Sequence, residues 1–256
     1  MTCEVHHELI GPRGAPVVAL SCSLGTHWSM WDPQAERLSA RLRVLRYDLR
    51  GHGASPVPDG PYSIADLAGD LVALLDRLEI ERASLCGVSI GGMTSIWLAA
   101  HAPERVDRLV VCCSSAYIDP EGTYRERARA AREHGLEPLA DAALERWFTP
   151  PFRSDHPELA ERMRRILTST PVEGYAGCCE ALADMDLRGD LATVNASTLV
   201  ISGAEDPATP PPHGRLIADG IAGARFEVVD DAAHLANVEQ PERVGELIER
   251  HLAADV

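Results

Sequence analysis

The stretch Ala83-Ser84-Leu85-Cys86-Gly87-Val88-Ser89-Ile90-Gly91-Gly92 decides the fold, because a short apolar run ends there in the pattern G-x-S-x-G. This pattern is typical of a sharp turn between a buried strand and a helix, with the central serine held at its tip. The flanking glycines leave room for the neighbouring backbone. Residues 93–100 follow with helical composition and no proline, as the motif requires. We therefore predict that Ser89 presents a nucleophilic hydroxyl above the sheet and that the amide of Ile90 can bind an oxyanion.

Short apolar runs alternate with helical patterns on both sides of this motif. The further predicted strands are Val17 to Cys22, Arg43 to Asp48, Leu109 to Cys113, Ser197 to Ser202 and Arg225 to Val229. Apolar residues recur with helical spacing from Ser63 to Leu78, and a terminal helix is expected from about Pro241 to Leu252. This alternation predicts an α/β fold with a mostly parallel central sheet and helices on both faces.

The alternation breaks in the middle of the chain. Between Tyr117 and Leu187 there is no strand-like run, but there are several amphipathic stretches rich in arginine, glutamate and alanine. The clearest are Tyr124 to His134, Ala140 to Phe148 and Leu159 to Leu167. We predict a helical cap at 117–187 over the active edge of a core made of residues 1–116 and 188–256.

Charge and cysteine content exclude several classes of function. The 256 residues carry 39 acidic and 24 basic side chains, a net charge of -15, which argues against nucleic acid and anionic membranes as partners. No apolar run is long enough to span a membrane. The seven cysteines fit neither a disulfide framework nor metal-ligand spacing, so we expect small buried thiols in a reducing cytoplasm and no metal. Nothing in the sequence indicates an oligomeric state.

A serine hydroxyl needs a base, and the base needs an acid to orient it. In this architecture the partners follow the serine in the order acid then histidine, each in a loop after a late strand. Asp206 fits the acid position, four residues after Ser202; Glu205 and Asp119 are the alternatives. His234 fits the base position, between the last strand and the terminal helix. The sequence therefore predicts a catalytic triad of Ser89, Asp206 and His234.

Other polar residues receive supporting or structural roles. A second oxyanion donor is expected in the loop after the first strand, from the amide of Ser23 or of Leu24, and the sequence leaves that register open. We expect His52 to stiffen a glycine-rich loop and His101 to end the helix after the motif.

Stretches spread along most of the chain resemble those of one known family. They include Ser23-Leu24-Gly25-Thr26, Val44 to Ser55, Gly60-Pro61-Tyr62-Ser63-Ile64, Arg146-Trp147-Phe148-Thr149-Pro150, Glu173 to Gly177, Asp186-Leu187-Arg188 and Ala232 to Glu239. The chain in these places is similar to the 3-oxoadipate enol-lactonases, which are α/β-hydrolases. The resemblance implies hydrolysis of 3-oxoadipate enol-lactone, a small anionic lactone, in aromatic catabolism, with no metal or organic cofactor. It assigns Ser89, Asp206 and His234 the triad roles. Two departures are His27, where the family has aspartate, and Ile90, where methionine is usual.

The implied substrate carries a carboxylate, which a cap arginine can bind as a bidentate pair. The candidates are Arg146, Arg153, Arg164 and Arg165, each of which is equally compatible with a solvated helix face. Trp147 and Trp31 are candidate apolar walls of the pocket, with ordinary packing as the alternative. Because a fold does not fix a function, two rival functions stay open. One is an esterase, lactonase or cofactor-free haloperoxidase-like enzyme of other substrate range, and the other is a non-catalytic small-molecule receptor.

Overall fold

The computed structural model describes residues 2–118 and 122–253, within which the backbone forms seven strands and eleven α-helices. The strands are β1 (His7–Ile10), β2 (Val17–Ser21), β3 (Arg43–Tyr47), β4 (Ala83–Val88), β5 (Val106–Cys112), β6 (Ser197–Gly203) and β7 (Arg225–Val229). The helices are α1 (Asp32–Leu38), α2 (Ile64–Arg77), α3 (Ile90–His101), α4 (Thr123–His134), α5 (Ala140–Trp147), α6 (Pro150–Asp155), α7 (Pro157–Ser169), α8 (Val172–Ala183), α9 (Pro211–Gly220), α10 (Ala236–Glu239) and α11 (Pro241–Leu252).

The strands form one sheet in the order β1-β3-β2-β4-β5-β6-β7. Every neighbouring pair is parallel except β1 with β3, which is antiparallel. The prediction of a mostly parallel α/β sheet is therefore confirmed. Strand β1 lies outside the predicted strands, because its short sequence His-Glu-Leu-Ile is only half-buried and shows no apolar run.

Burial is deepest at the centre of the sheet. All six residues of β4 are buried, as expected for a strand covered by helices on both faces. Helix α2 packs an apolar stripe into this core and begins at a capping box between Ser63 and Asp66. Because parallel strands end at the same edge of a sheet, the loops after β2, β4, β6 and β7 meet at one edge.

Helices α4 to α8 are inserted between β5 and β6. Helix α4 packs against α8, and Arg132 of α4 forms ion pairs with Glu173 and Glu180 of α8. At the base of the insertion Tyr117 and Asp186 pair in an isolated antiparallel bridge, and the amide of Leu187 donates to the carbonyl of Ala116 at 2.7 Å. The predicted division of the chain at 117 and 187 falls at this base and stays a prediction.

Among the described residues, no helix combines the length and apolar character needed to cross a bilayer.

Candidate active site

The serine of the opening motif stands on a strained turn between β4 and α3. Ser89 has φ 56° and ψ -120°, a conformation that non-glycine residues rarely adopt. Its amide donates to the carbonyl of Cys112 at 3.0 Å, which anchors the turn to the neighbouring strand β5. A Cβ atom on Gly87 would lie 2.2 Å from the carbonyl carbon of Gly91, so the turn closes only with glycine there. The motif therefore folds as predicted and holds the serine by its backbone.

The predicted acid, Asp206, lies in the loop after β6 and is 2% exposed. One carboxylate oxygen, Oδ1, accepts hydrogen bonds from the amides of Ala208 and Thr209 at 2.8 and 3.0 Å. The other, Oδ2, accepts from the hydroxyl of Thr209 at 2.8 Å. Burial alone would raise the pKa of Asp206, but the charge and hydrogen bond of His234 and the Thr209 hydrogen bonds outweigh it and lower the pKa. The carboxylate is therefore held ionised.

The predicted base, His234, lies in the loop after β7 and is 5% exposed. Its Nδ1 lies 2.9 Å from Oδ2 of Asp206. Because an ionised carboxylate only accepts, Nδ1 carries the hydrogen and Nε2 is left to accept a proton. The cap also holds this loop, since the amides of His234 and Leu235 donate to the carbonyls of Arg146 and Trp147 at 3.3 and 3.0 Å.

Ser89 and His234 line one cavity together with residues of helices α4, α5 and α8 of the predicted cap. No hydrogen bond joins their side chains in the described structure, and such bonds are often long in ligand-free enzymes and shorten when substrate binds. The cavity has a volume of about 30 Å³, so the side chains pack closely around Ser89. The cavity is lined by Ser23, Leu24, Ser89, Tyr124, Arg127, Ala143, Arg146, Trp147, Tyr175, Leu182, Ala208 and His234.

The predicted oxyanion donors surround the same cavity. The amide of Ile90, the first residue of α3, has no hydrogen-bond partner among the described residues, and the same holds for Leu24. The amide of Ser23 points at the thioether sulfur of Met30 at 3.4 Å, a weak acceptor that an oxyanion can replace. Both Ser23 and Leu24 line the cavity, so the choice between them stays open.

A buried histidine fixes the loop that carries Ser23 and Leu24. His52 is fully buried, its Nε2 accepts from the amide of Gly25 at 3.0 Å and its Nδ1 donates to the carbonyl of Arg50 at 3.1 Å. Burial lowers the pKa of His52 to about 4, so the ring is neutral at pH 7. The structural role predicted for His52 is confirmed, as is that of His101, the last residue of α3.

Of the predicted substrate contacts, Trp147 and Arg146 line the cavity and the others do not. Trp31 is fully buried, and its indole N–H donates to the carbonyl of Ser21 at 3.2 Å, so it is a core residue and the expectation of a pocket wall was wrong. Arg153 lies on α6 away from the cavity. Arg164 and Arg165 do not line the cavity either. Both form ion pairs with acidic side chains of the cap surface. The alternative acid Asp119 lies outside the described residues.

Sequence reasoning missed five cavity residues of the cap, of which Tyr124, Arg127 and Tyr175 carry polar groups and Ala143 and Leu182 are apolar. A signal for the first two was present in α4. Tyr124 and Arg127 are three residues apart, on the same side of the helix as the buried Ala128 and Ala131. An arginine on the buried stripe of a predicted cap helix could therefore have been selected over those on exposed faces.

Among the described residues, no three His, Cys, Asp or Glu side chains cluster as metal ligands. All seven cysteines are free thiols, and six of them are buried.

Comparison with known proteins gives a consistent assignment. The family model for the alpha/beta hydrolase fold matches residues 15–241. The chain is 42% identical over 245 residues to 3-oxoadipate enol-lactonase 2 of Acinetobacter baylyi, covering 96% of this chain and 91% of that one. The enol-lactonase structure from Burkholderia xenovorans LB400 matches with a TM-score of 0.95 and 42% identity, covering 97% and 96%. A thermophilic esterase from Thermogutta terrifontis, solved with malate bound, matches with a TM-score of 0.92 and 30% identity, covering 98% and 93%.

Proposed function

The chain belongs to the 3-oxoadipate enol-lactonase family of α/β-hydrolases, and we propose that it hydrolyses 3-oxoadipate enol-lactone to 3-oxoadipate. The observation that carries the proposal is the composition of one cap-covered cavity. It combines the serine of the strained turn, the histidine held by a buried carboxylate, and cap arginines that can receive the substrate's carboxylate. The alignment with the enol-lactonase covers 96% of this chain and therefore includes the cap, which shapes the pocket.

The reaction begins at the lactone carbonyl. The Oγ of Ser89 attacks that carbon while Nε2 of His234 takes the hydroxyl proton. Asp206 stabilises the imidazolium that forms, because its Oδ2 accepts the hydrogen on Nδ1. The amide of Ile90, with that of Ser23 or Leu24, receives the oxyanion of the tetrahedral intermediate, and each such donor contributes about 3 kcal/mol to lowering the barrier.

Collapse of the intermediate breaks the ring C–O bond and leaves the substrate as an ester of Ser89. The departing oxygen is an enolate, a better leaving group than an alkoxide because its charge is delocalised. His234 returns the proton, and the enol becomes a ketone. Water then attacks the acyl-enzyme with His234 as base, which releases 3-oxoadipate and restores the serine.

The setting of the enzyme follows from its charge and thiols. A net charge of -15 repels an anionic substrate, so attraction must come from local cations in the cavity. Seven free cysteines support a reducing cytoplasm as its compartment. The mechanism needs no metal and no organic cofactor, because the leaving group is activated and the nucleophile is supplied by the chain.

The proposal is tested by following the loss of enol-lactone absorbance and identifying the product by NMR. We expect turnover well above the uncatalysed rate and 3-oxoadipate as the product. A rate equal to that of buffer alone, measured with enzyme that still reacts with a fluorophosphonate, would contradict the substrate assignment. The assignment of the protein as a serine hydrolase would then still stand.

A general esterase activity is the second candidate, favoured by the similarity to the Thermogutta terrifontis esterase. The same assay separates the two functions when a neutral aryl ester is measured beside the lactone. Preference for the aryl ester in kcat/KM favours the esterase, and preference for the lactone favours the enol-lactonase.

A further inference from the structure

Two arginines of the cap line the cavity that contains Ser89. Arg127 comes from α4 and Arg146 from α5, and both side chains are half-buried. Burial is the main cause that lowers the pKa of Arg146, and the positive charge of the nearby Arg127 lowers it further. Two adjacent cations beneath a cap are unfavourable unless an anion accompanies them.

Neither arginine forms an ion pair with an acidic side chain in the described part of the chain. This is notable in a protein with 39 acidic residues and 24 basic ones. Other cap arginines do have carboxylate partners: Arg125 pairs with Asp184, Arg132 with Glu173, and Arg164 with Glu137. These three cap arginines are neutralised by carboxylates, whereas the two in the cavity are, within the described residues, free to bind an anionic ligand.

The aromatic ring of Tyr124 orients the first of the two guanidinium groups. The guanidinium carbon of Arg127 lies 4.6 Å from the centre of the Tyr124 ring, within the range of a cation–π contact. Tyr175, only 2% exposed, lines the same cavity. A guanidinium stacked by its face keeps its N–H groups at the edge, where they can form a bidentate pair with a carboxylate.

We propose that Arg127 and Arg146 form a subsite for a carboxylate that the substrate carries beyond its scissile ester, so that the enzyme selects anionic lactones and esters over neutral ones. This inference rests on the proposed role of Ser89 in the same cavity. Arg127 is the main ligand because its guanidinium is oriented by Tyr124, and Arg146 adds a second positive charge.

The test compares two lactones that differ in one group. α-Angelica lactone has the same enol-lactone ring as 3-oxoadipate enol-lactone, with a methyl group in place of the carboxymethyl group. A charge-assisted hydrogen bond contributes about 1.5 to 3 kcal/mol, so Arg127→Gln is expected to lower kcat/KM for the carboxylated lactone by about 10- to 150-fold. The same substitution should change kcat/KM for α-angelica lactone by less than about threefold.

Two further variants separate charge from structure. Arg127→Lys keeps the cation without the planar fork, so it should recover part of the loss for the carboxylated lactone only. Arg129→Gln is the matched control, because Arg129 is exposed on the same helix and does not line the cavity. Arg129→Gln should leave kcat/KM unchanged for both lactones. An equal fall for both lactones in Arg127→Gln, or no fall for either, would overturn the subsite.

A second measurement keeps the subsite testable if the chain does not turn over the enol-lactone. Adipate should inhibit hydrolysis of the neutral ester p-nitrophenyl acetate by the unaltered enzyme. Its inhibition constant should rise at least tenfold in Arg127→Gln and stay unchanged in Arg129→Gln. Unchanged inhibition in Arg127→Gln would refute the subsite, whatever the natural substrate is.

Discussion

The backbone amide of His234 donates a hydrogen bond to the backbone carbonyl of Arg146, 3.3 Å away. The loop that carries the predicted base is thereby joined to helix α5, which carries one of the two cavity arginines. We therefore expect a displacement of helix α5 at this point to move the imidazole of His234 as well. Because the bond uses only main-chain atoms, side-chain substitutions at residue 146 leave it in place.

Replacement of Asp206 by asparagine should lower kcat by about 10³- to 10⁴-fold, because an amide favours the wrong imidazole tautomer and no longer stabilises the imidazolium. The measurement is steady-state hydrolysis of the lactone at pH 7. Glu205→Gln is the control, since Glu205 is adjacent in sequence but exposed. A loss in Glu205→Gln as large as that in Asp206→Asn would transfer the role of the acid to Glu205.

Glu239 should position His234 by holding the loop segment directly before it. Its buried carboxylate accepts from the amide and hydroxyl of Thr149 in the cap and, through its other oxygen, from the amide of Ala233 at 2.8 Å. Glu239→Gln turns one acceptor into a donor facing an N–H, which costs about 1 to 3 kcal/mol of unfolding free energy. We expect lower stability in urea unfolding together with a lower kcat for the lactone.

Glu242→Gln provides the comparison for that experiment, because Glu242 is exposed on the neighbouring helix α11. It should match the unaltered enzyme in both measurements. Full stability and full kcat in Glu239→Gln would show that the carboxylate is not needed to hold the loop.

Acid should destabilise the protein partly through His52. Burial lowers the pKa of His52 from 6.5 to about 4, so the unfolded chain binds a proton that the folded chain rejects. The neutral ring's contribution to stability is therefore complete above pH 6.5 and is lost progressively as the pH falls towards 4. A shift of this size corresponds to about 3 kcal/mol.

The measurement is urea unfolding at several pH values, for the unaltered protein and for His52→Asn. The variant should lose less stability over that pH window, because asparagine does not titrate. His101→Asn, at an exposed histidine, should follow the unaltered protein. Parallel pH curves for His52→Asn and the unaltered protein would contradict a neutral buried ring.

Most of the sheet could be predicted from sequence because its central strands are continuous apolar runs. Strand β1 could not, since it lies at the edge and its four residues are half-buried. Helix α8 lacked an amphipathic pattern because eight of its twelve residues are buried, which removes the contrast between faces. In both elements the sequence shows no contrast between a buried and an exposed face, so no pattern identifies the element.

The candidate triad residues could be selected from sequence because each follows a strand, and parallel strands bring their ends to one edge. The cavity walls could not, because they depend on how the cap docks. A tryptophan in a loop can point into the core or into a pocket, and Trp31 points into the core. Arg127 was overlooked because residue type alone does not separate it from the exposed arginines of α4, and only its position beside the buried Ala128 and Ala131 does.

The central claim is that Ser89 is the nucleophile of this hydrolase, and its direct test is the replacement of Ser89 by alanine. Lactone hydrolysis and fluorophosphonate labelling, with peptide mass mapping, are measured on the same preparations. We predict one adduct on the peptide containing Ser89 in the unaltered enzyme, and in the variant neither an adduct nor hydrolysis above the buffer rate. Retention of the unaltered rate by the alanine variant would contradict the account.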